Sequence, residues 1–181
     1  MIFEETPLKG AYIVRIEPIH NNRGFYSRAF CSQEFEEAGL PPTISQLNYL
    51  HTEAQGTLRG LHCQISEEGE AKYIRCVQGS IYDVIIDIRE DSPTYLQSYQ
   101  IELNTSNRLA LYIPPFFAHG FLTLEDNTDV IYSTSVPYSP SGELGICYDD
   151  PYFSIPWPQQ VKVISEKDQS WPLFEPNKGT L

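Results

Sequence analysis

Positive charge is scarce in this chain: 12 lysines and arginines stand against 24 aspartates and glutamates in 181 residues, a formal net charge of −12. A surface of that sign repels phosphate backbones and anionic lipid, which argues against nucleic acid and membrane as partners. Long hydrophobic runs are missing too. No segment approaches the length needed to span a bilayer, and nothing before residue 30 reads as a signal peptide. The four cysteines, Cys31, Cys63, Cys76 and Cys147, lack the paired spacing of a zinc finger or redox motif and read as reduced thiols of a cytoplasmic protein. There is no glycine-rich phosphate loop and no nucleophile elbow. His62-Cys63-Gln64 stands where a metal-binding barrel would carry His-x-His, so no metal site is expected.

What is present points to strands. Aromatics make up 13% of the chain and prolines number 14, against a single methionine, a balance that suits an all-β fold better than a helical bundle. The length fits one domain over 1–181, divided into N-terminal strands and a helix (1–42), a barrel core (43–140) and a C-terminal tail (141–181) packed on the outside. Ala11–Ile16 and Gly24–Phe30 read as strands joined by a turn at His20-Asn21-Asn22. Ser32–Gly39 reads as one short helix with Ser32 as its N-cap and glycine as its stop. Strands then follow at short intervals: Ile44–Tyr49, Thr57–Gln64, Ala71–Val77, Ile81–Ile88, Leu96–Leu103, Leu109–Ile113, Gly120–Thr123 and Asp129–Ser135. That rhythm predicts a sandwich or barrel, which removes exposed edges by near-closure.

Polar groups interrupt these apolar strands at a few places. Gln78-Gly79-Ser80 reads as a hairpin turn, and alternation then places Lys72, Ile74 and Cys76 on the same face as Asp83, Ile85 and Asp87. A strand lysine is ordinarily a solvated partner for a cross-strand carboxylate. His62 and Arg59 fall on opposite faces by simple alternation, but Gly60 between them is a natural bulge site, and a bulge would turn both inward.

With Arg23-Gly24-Phe25, Leu58-Arg-Gly-Leu-His-Cys-Gln64, Ile81-Tyr-Asp-Val-Ile-Ile-Asp-Ile-Arg89, Asp91-Ser-Pro-Thr94 and Ile113-Pro-Pro-Phe-Phe-Ala-His-Gly-Phe121 in this order, nearly the whole chain resembles the dTDP-4-dehydrorhamnose 3,5-epimerase family. The resemblance implies a cupin-type jelly roll, a homodimer, no metal or organic cofactor, and a nucleoside-diphosphate 4-keto-6-deoxyhexose as substrate. It implies epimerisation at C3, C5 or both, in deoxysugar and O-antigen-type polysaccharide biosynthesis. A ketone at C4 acidifies the protons on C3 and C5, so inversion requires a base on one face, support for the enolate oxygen, and an acid on the other. By resemblance His62 is the base, Lys72 the cation beside the C4 oxygen, Tyr132 the opposing acid, and Asp168 the carboxylate that orients the histidine; read alone, Asp168 would simply close a capping box with Ser165. Asp83 joins this catalytic set and, with His119, lines the pocket. Arg59 matches a diphosphate contact, Arg23 one that reaches the nucleotide across the dimer interface, and Gln46, Asn48, Tyr138 and Tyr26 match residues around the sugar and base.

One position departs from the family pattern. Where members often carry Arg-Gly-Phe-Phe-x-Glu, this chain has Arg28 in place of the glutamate that sits near the base. Glutamate accepts the N3 proton of thymine; cytosine offers an acceptor there, which an arginine could satisfy. A CDP-linked sugar is therefore an alternative to dTDP, unless Arg28 points to solvent or pairs with Glu34 or Glu36; a C3 epimerase acting on such a CDP-linked sugar is the competing form of the activity. Two other readings compete: a cupin that binds a sugar nucleotide without catalysis, and a keto-isomerase of related fold.

Overall fold

The computed structural model describes residues 1–67 and 69–175. Short strands separated by turns build two sheets that face each other. In chain order these are β1 (Ile2–Glu5), β2 (Tyr12–Arg15), β3 (Ile19–Asn21), β4 (Gly24–Tyr26), helix α1 (Ser32–Glu37), β5 (Gln46–Thr52), β6 (Thr57–Gln64), β7 (Lys72–Gln78) and β8 (Ser80–Asp87). There follow β9 (Ser98–Asn104), β10 (Ala110–Ile113), β11 (Phe117–Thr123), β12 (Thr128–Thr134), β13 (Glu143–Gly145), β14 (Val163–Ile164) and helix α2 (Glu166–Gln169). One sheet has the order β1-β2-β10-β7-β12-β5 and the other β13-β6-β11-β8-β9, with β14 joining β6 in parallel; β3 and β4 form a separate hairpin. Neighbours drawn from distant parts of the chain make this the expected cupin-type jelly roll.

The inner faces interlock. Ile74, Cys76, Leu111 and Val130 of the first sheet meet Ile81, Ile85, Phe117 and Phe121 of the second. Outside the first sheet, Phe35 of α1 is buried against Val14, Ala110 and Tyr112, with aromatic edge contacts to Phe3, Tyr73 and Tyr112. Outside the second, Ile146, Phe153, Ile155 and Trp157 of the tail cover Leu61, Val84 and Ile86.

Several expectations are corrected. Gln78-Gly79-Ser80 does not close a hairpin: β7 pairs with β10 and β12 while β8 pairs with β9 and β11, so Gly79 carries the chain from one sheet to the other. Lys72, Ile74, Cys76, Asp83, Ile85 and Asp87 are all buried nonetheless, because both strands turn their inner faces to the same interior. The turn after β3 falls at Asn22-Arg23, where the Asn21 Oδ1 accepts the Arg23 N–H at 2.9 Å, and β4 stops at Tyr26. The N-cap of α1 is Cys31, without a side-chain bond; burial of Phe35 holds the helix, and Gly39 at φ +73° ends it. The tail is not wholly outside: β13 and β14 extend the second sheet and bring two carboxylates inward.

Candidate active site

Between the sheets lie two adjoining hollows of about 400 and 460 Å³ that share His62, Lys72 and Tyr132. The bulge at Gly60 shapes them. His62 lies opposite His119 and Arg59 opposite Phe121, so β6 carries one residue more than β11 across this stretch. Gly60 sits at φ +107°, and a Cβ there would lie 2.6 Å from both the Gly120 Cα and the His119 carbonyl oxygen. The slip turns Arg59 and His62 to the same hollow, as the mid-strand glycine suggested.

His62 comes from the second sheet, while Lys72 on β7 and Tyr132 on β12 come from the first, so the base and acid candidates occupy facing walls. The His62 ring stays a third exposed to the pocket. Burial, then the Lys72 charge, lower its pKa from 6.5 to about 4, against the opposing pull of Glu143 and Asp168. It is neutral at pH 7, the state a base needs. Burial, followed by the charge of Glu70, raises the Tyr132 phenol and keeps it protonated, the state an acid needs.

Two buried pairs flank these groups. Lys72 Nζ lies 2.5 Å from Glu70 Oε1, with both side chains under a tenth exposed. His119 Nε2 lies 3.0 Å from Asp83 Oδ2, and the Asp83 Oδ1 has no partner among the described residues. Burial pushes the Asp83 carboxyl up against the pull of His119.

Asp168 caps α2 and also reaches the pocket wall. Its amide donates to the Ser165 Oγ at 3.0 Å, the capping bond, while its carboxylate, buried in the pocket wall, accepts the Gly60 N–H at 3.2 Å. The carboxylate within ion-pair distance of the His62 ring is instead Glu143, whose Oε1 lies 3.8 Å from Nδ1. Burial pushes Glu143 up, but Lys167, Tyr138 and His62 outweigh it and hold its carboxyl below the usual range.

Gln46 and Asn48 of β5 and the exposed Tyr138 line the mouth, where Gln46 Oε1 accepts the Tyr138 N–H at 2.9 Å. Arg59 reaches the pocket with its Nε donating to the Thr52 hydroxyl at 3.2 Å. Arg23, Tyr26 and Arg28 do not join this pocket. They lie on or beside the exposed β3–β4 hairpin, and the Arg28 guanidinium donates to Glu34 Oε1 at 2.7 Å. Glu70, Cys63, Gln64, Thr134 and Glu143 line the site without having been singled out. Alternation could have found Glu70, two residues before Lys72; nothing local to Glu143 marks it. Among the described residues, no group of three or more His, Cys, Asp or Glu is arranged to hold a metal ion, and no helix is long and apolar enough to cross a membrane.

The sequence profile of the dTDP-4-dehydrorhamnose 3,5-epimerase family matches residues 5–176. An enzyme of that name from Methanothermobacter thermautotrophicus is 39% identical over 177 residues, covering 96% of this chain and 95% of its own. The crystal structure of the Elizabethkingia anophelis enzyme superposes with a TM-score of 0.93 at 34% identity, covering 96% of both chains. That of the Bacillus anthracis enzyme, with TDP and pyrophosphate bound, gives 0.92 at 35% identity over 96% of this chain and 99% of its own.

Proposed function

The chain belongs to the dTDP-4-dehydrorhamnose 3,5-epimerase family, and from that premise we infer that its own substrate is a dTDP-linked 4-keto-6-deoxyhexose, inverted at C3 and C5 in deoxysugar biosynthesis. One observation carries the reading: a neutral histidine on one sheet faces a protonated tyrosine on the other, with an ammonium lining the same hollow. His62 removes the proton on carbon beside the ketone, and the electron pair moves onto the C4 oxygen, where Lys72 meets the new charge. Tyr132 returns a proton to that carbon from the opposite face. His62 then loses its proton to water and the tyrosinate regains one, which resets the site. Asp168 holds the bulge that aims His62, and Asp83 fixes the His119 ring on the same wall.

The protein works as a cytoplasmic homodimer in this proposal, with Arg23 and Tyr26 of each hairpin completing the neighbouring nucleotide site. The pairing of the exposed Arg28 guanidinium with Glu34 supports dTDP over the CDP-linked alternative. Incubation with dTDP- and CDP-linked 4-keto-6-deoxyglucose in deuterium oxide tests the whole reading by NMR. Deuterium at C3 and C5 of the dTDP sugar, with inverted couplings, is expected. Label at C3 alone would reduce the activity to a single centre, preference for the CDP sugar would restore the cytidine idea, and no label with tight binding would make the protein a binding module.

A further inference from the structure

Glu70 belongs to none of the sequence motifs, yet it lines the site beside Lys72. The Glu70 and Lys72 side chains flank Ala71, which packs outward against the α1 cluster, so both point inward. The segment is fixed at its root: the Ala71 N–H donates to the Ser135 Oγ at 2.9 Å, and its carbonyl accepts the Ser135 N–H at 3.0 Å. From this platform the Glu70 carboxylate meets the Lys72 ammonium at 2.5 Å, with side-chain exposures of 6% and 9%. Both line the hollow that Tyr132 also faces.

An ammonium that serves a transient enolate has no anion beside it for most of the catalytic cycle. Buried without a partner, it would be costly, and its four-carbon stem would wander. A carboxylate on the same rigid strand end supplies the resting partner and fixes where the charge points. We propose that Glu70 is a positioning residue for proton abstraction, holding the Lys72 ammonium where the C4 oxygen of the substrate will develop charge. This deepens the epimerase reading and rests on it. Glu70 is not placed as a second base, because its carboxylate is engaged by the Lys72 ammonium. Its charge also favours the protonated phenol of Tyr132.

Glu70→Gln keeps the shape and removes the charge. The expected result is a fall in kcat of about ten-fold with KM and dTDP affinity within roughly three-fold, because the loss falls on the transition state. The basic limb of the rate profile should also move to lower pH as Tyr132 loses a neighbouring negative charge. In a Lys72→Met background, Glu70→Gln should add no further loss to kcat. Unchanged or raised kcat overturns the proposal. So does a rise in KM alone, which would make Glu70 a substrate contact, or additive losses, which would detach it from Lys72. One readout is independent of turnover: the two Lys72 Cε protons should be inequivalent by NMR in the unaltered protein and averaged in Glu70→Gln. Averaged signals in both proteins overturn the positioning role, whereas an inert protein with the expected Lys72 signals sinks only the epimerase reading.

Discussion

His62 is subject to opposing influences, and their balance sets when it can act. Burial and the Lys72 ammonium disfavour its proton, Glu143 and Asp168 favour it, and the result lies at about 4, below the ordinary 6.5. The unfolded chain therefore binds a proton that the native site refuses between those two values. Stability falls as pH drops through that window and levels off beneath it. The same shift keeps the base competent in mild acid, so the acid limb of kcat/KM should lie near pH 4 in the unaltered protein. Lys72→Met removes the charge that, after burial, depresses it most, so His62 should titrate higher and the acid limb should move toward neutrality while kcat falls. A carbon-detected NMR titration of the ring, run beside the rate profile, checks both. An unmoved titration would mean that Lys72 does not share the electrostatic environment of His62.

At the scale of elements, the bulge in β6 is the feature on which the site turns. Gly60→Ala would place a Cβ 2.6 Å from the facing backbone at a φ that favours glycine. Combining overpacking with backbone strain, urea unfolding should show a loss of roughly 2–6 kcal/mol, and exchange at the sugar carbons should fall further than stability explains, because Arg59 and His62 would lose their shared direction. A stability change below roughly 0.5 kcal/mol would show that the bulge relaxes freely. The mid-strand glycine between two polar residues made this bulge legible in sequence. Alternation likewise gave the strands and grouped Lys72 with Ile74 and Asp83 with Ile85, residues that are all buried. It could not give pairing partners, since period two says which way a side chain points and not which strand lies beside it; β7 and β8 accordingly entered different sheets. Glu143 and Asp168 were harder still. They reach the site on β13 and α2, of three and four residues, too short to carry a period, and only the long-range pairing of β13, and of the β14 strand that precedes α2, to β6 brings them there.

Across the whole molecule, the β3–β4 hairpin is the part that a single chain leaves without a role. Ile19, Phe25 and Tyr26 are 67%, 43% and 63% exposed, an apolar display on an otherwise acidic protein, and Arg23 stands at its tip. The edge strand β5 of the first sheet also exposes Leu47 and Tyr49. If each hairpin serves the partner's pocket, every active site draws His62 from one protomer and Arg23 from the other. His62→Ala and Arg23→Ala would then each be impaired alone for different reasons: the first loses the base, the second loses nucleotide affinity. Combined in one dimer, the two lesions fall in the same site, and the opposite site is left with an intact His62 and an intact Arg23. Co-expression of the two variants in equal amounts should therefore restore about a quarter of the unaltered activity, since half of randomly paired two-fold dimers are mixed and each carries one complete site of two. Sedimentation velocity on the same samples should show a dimer throughout. Activity no greater than the average of the two separate variants would mean that each protomer completes its own site, and the hairpin would need another explanation.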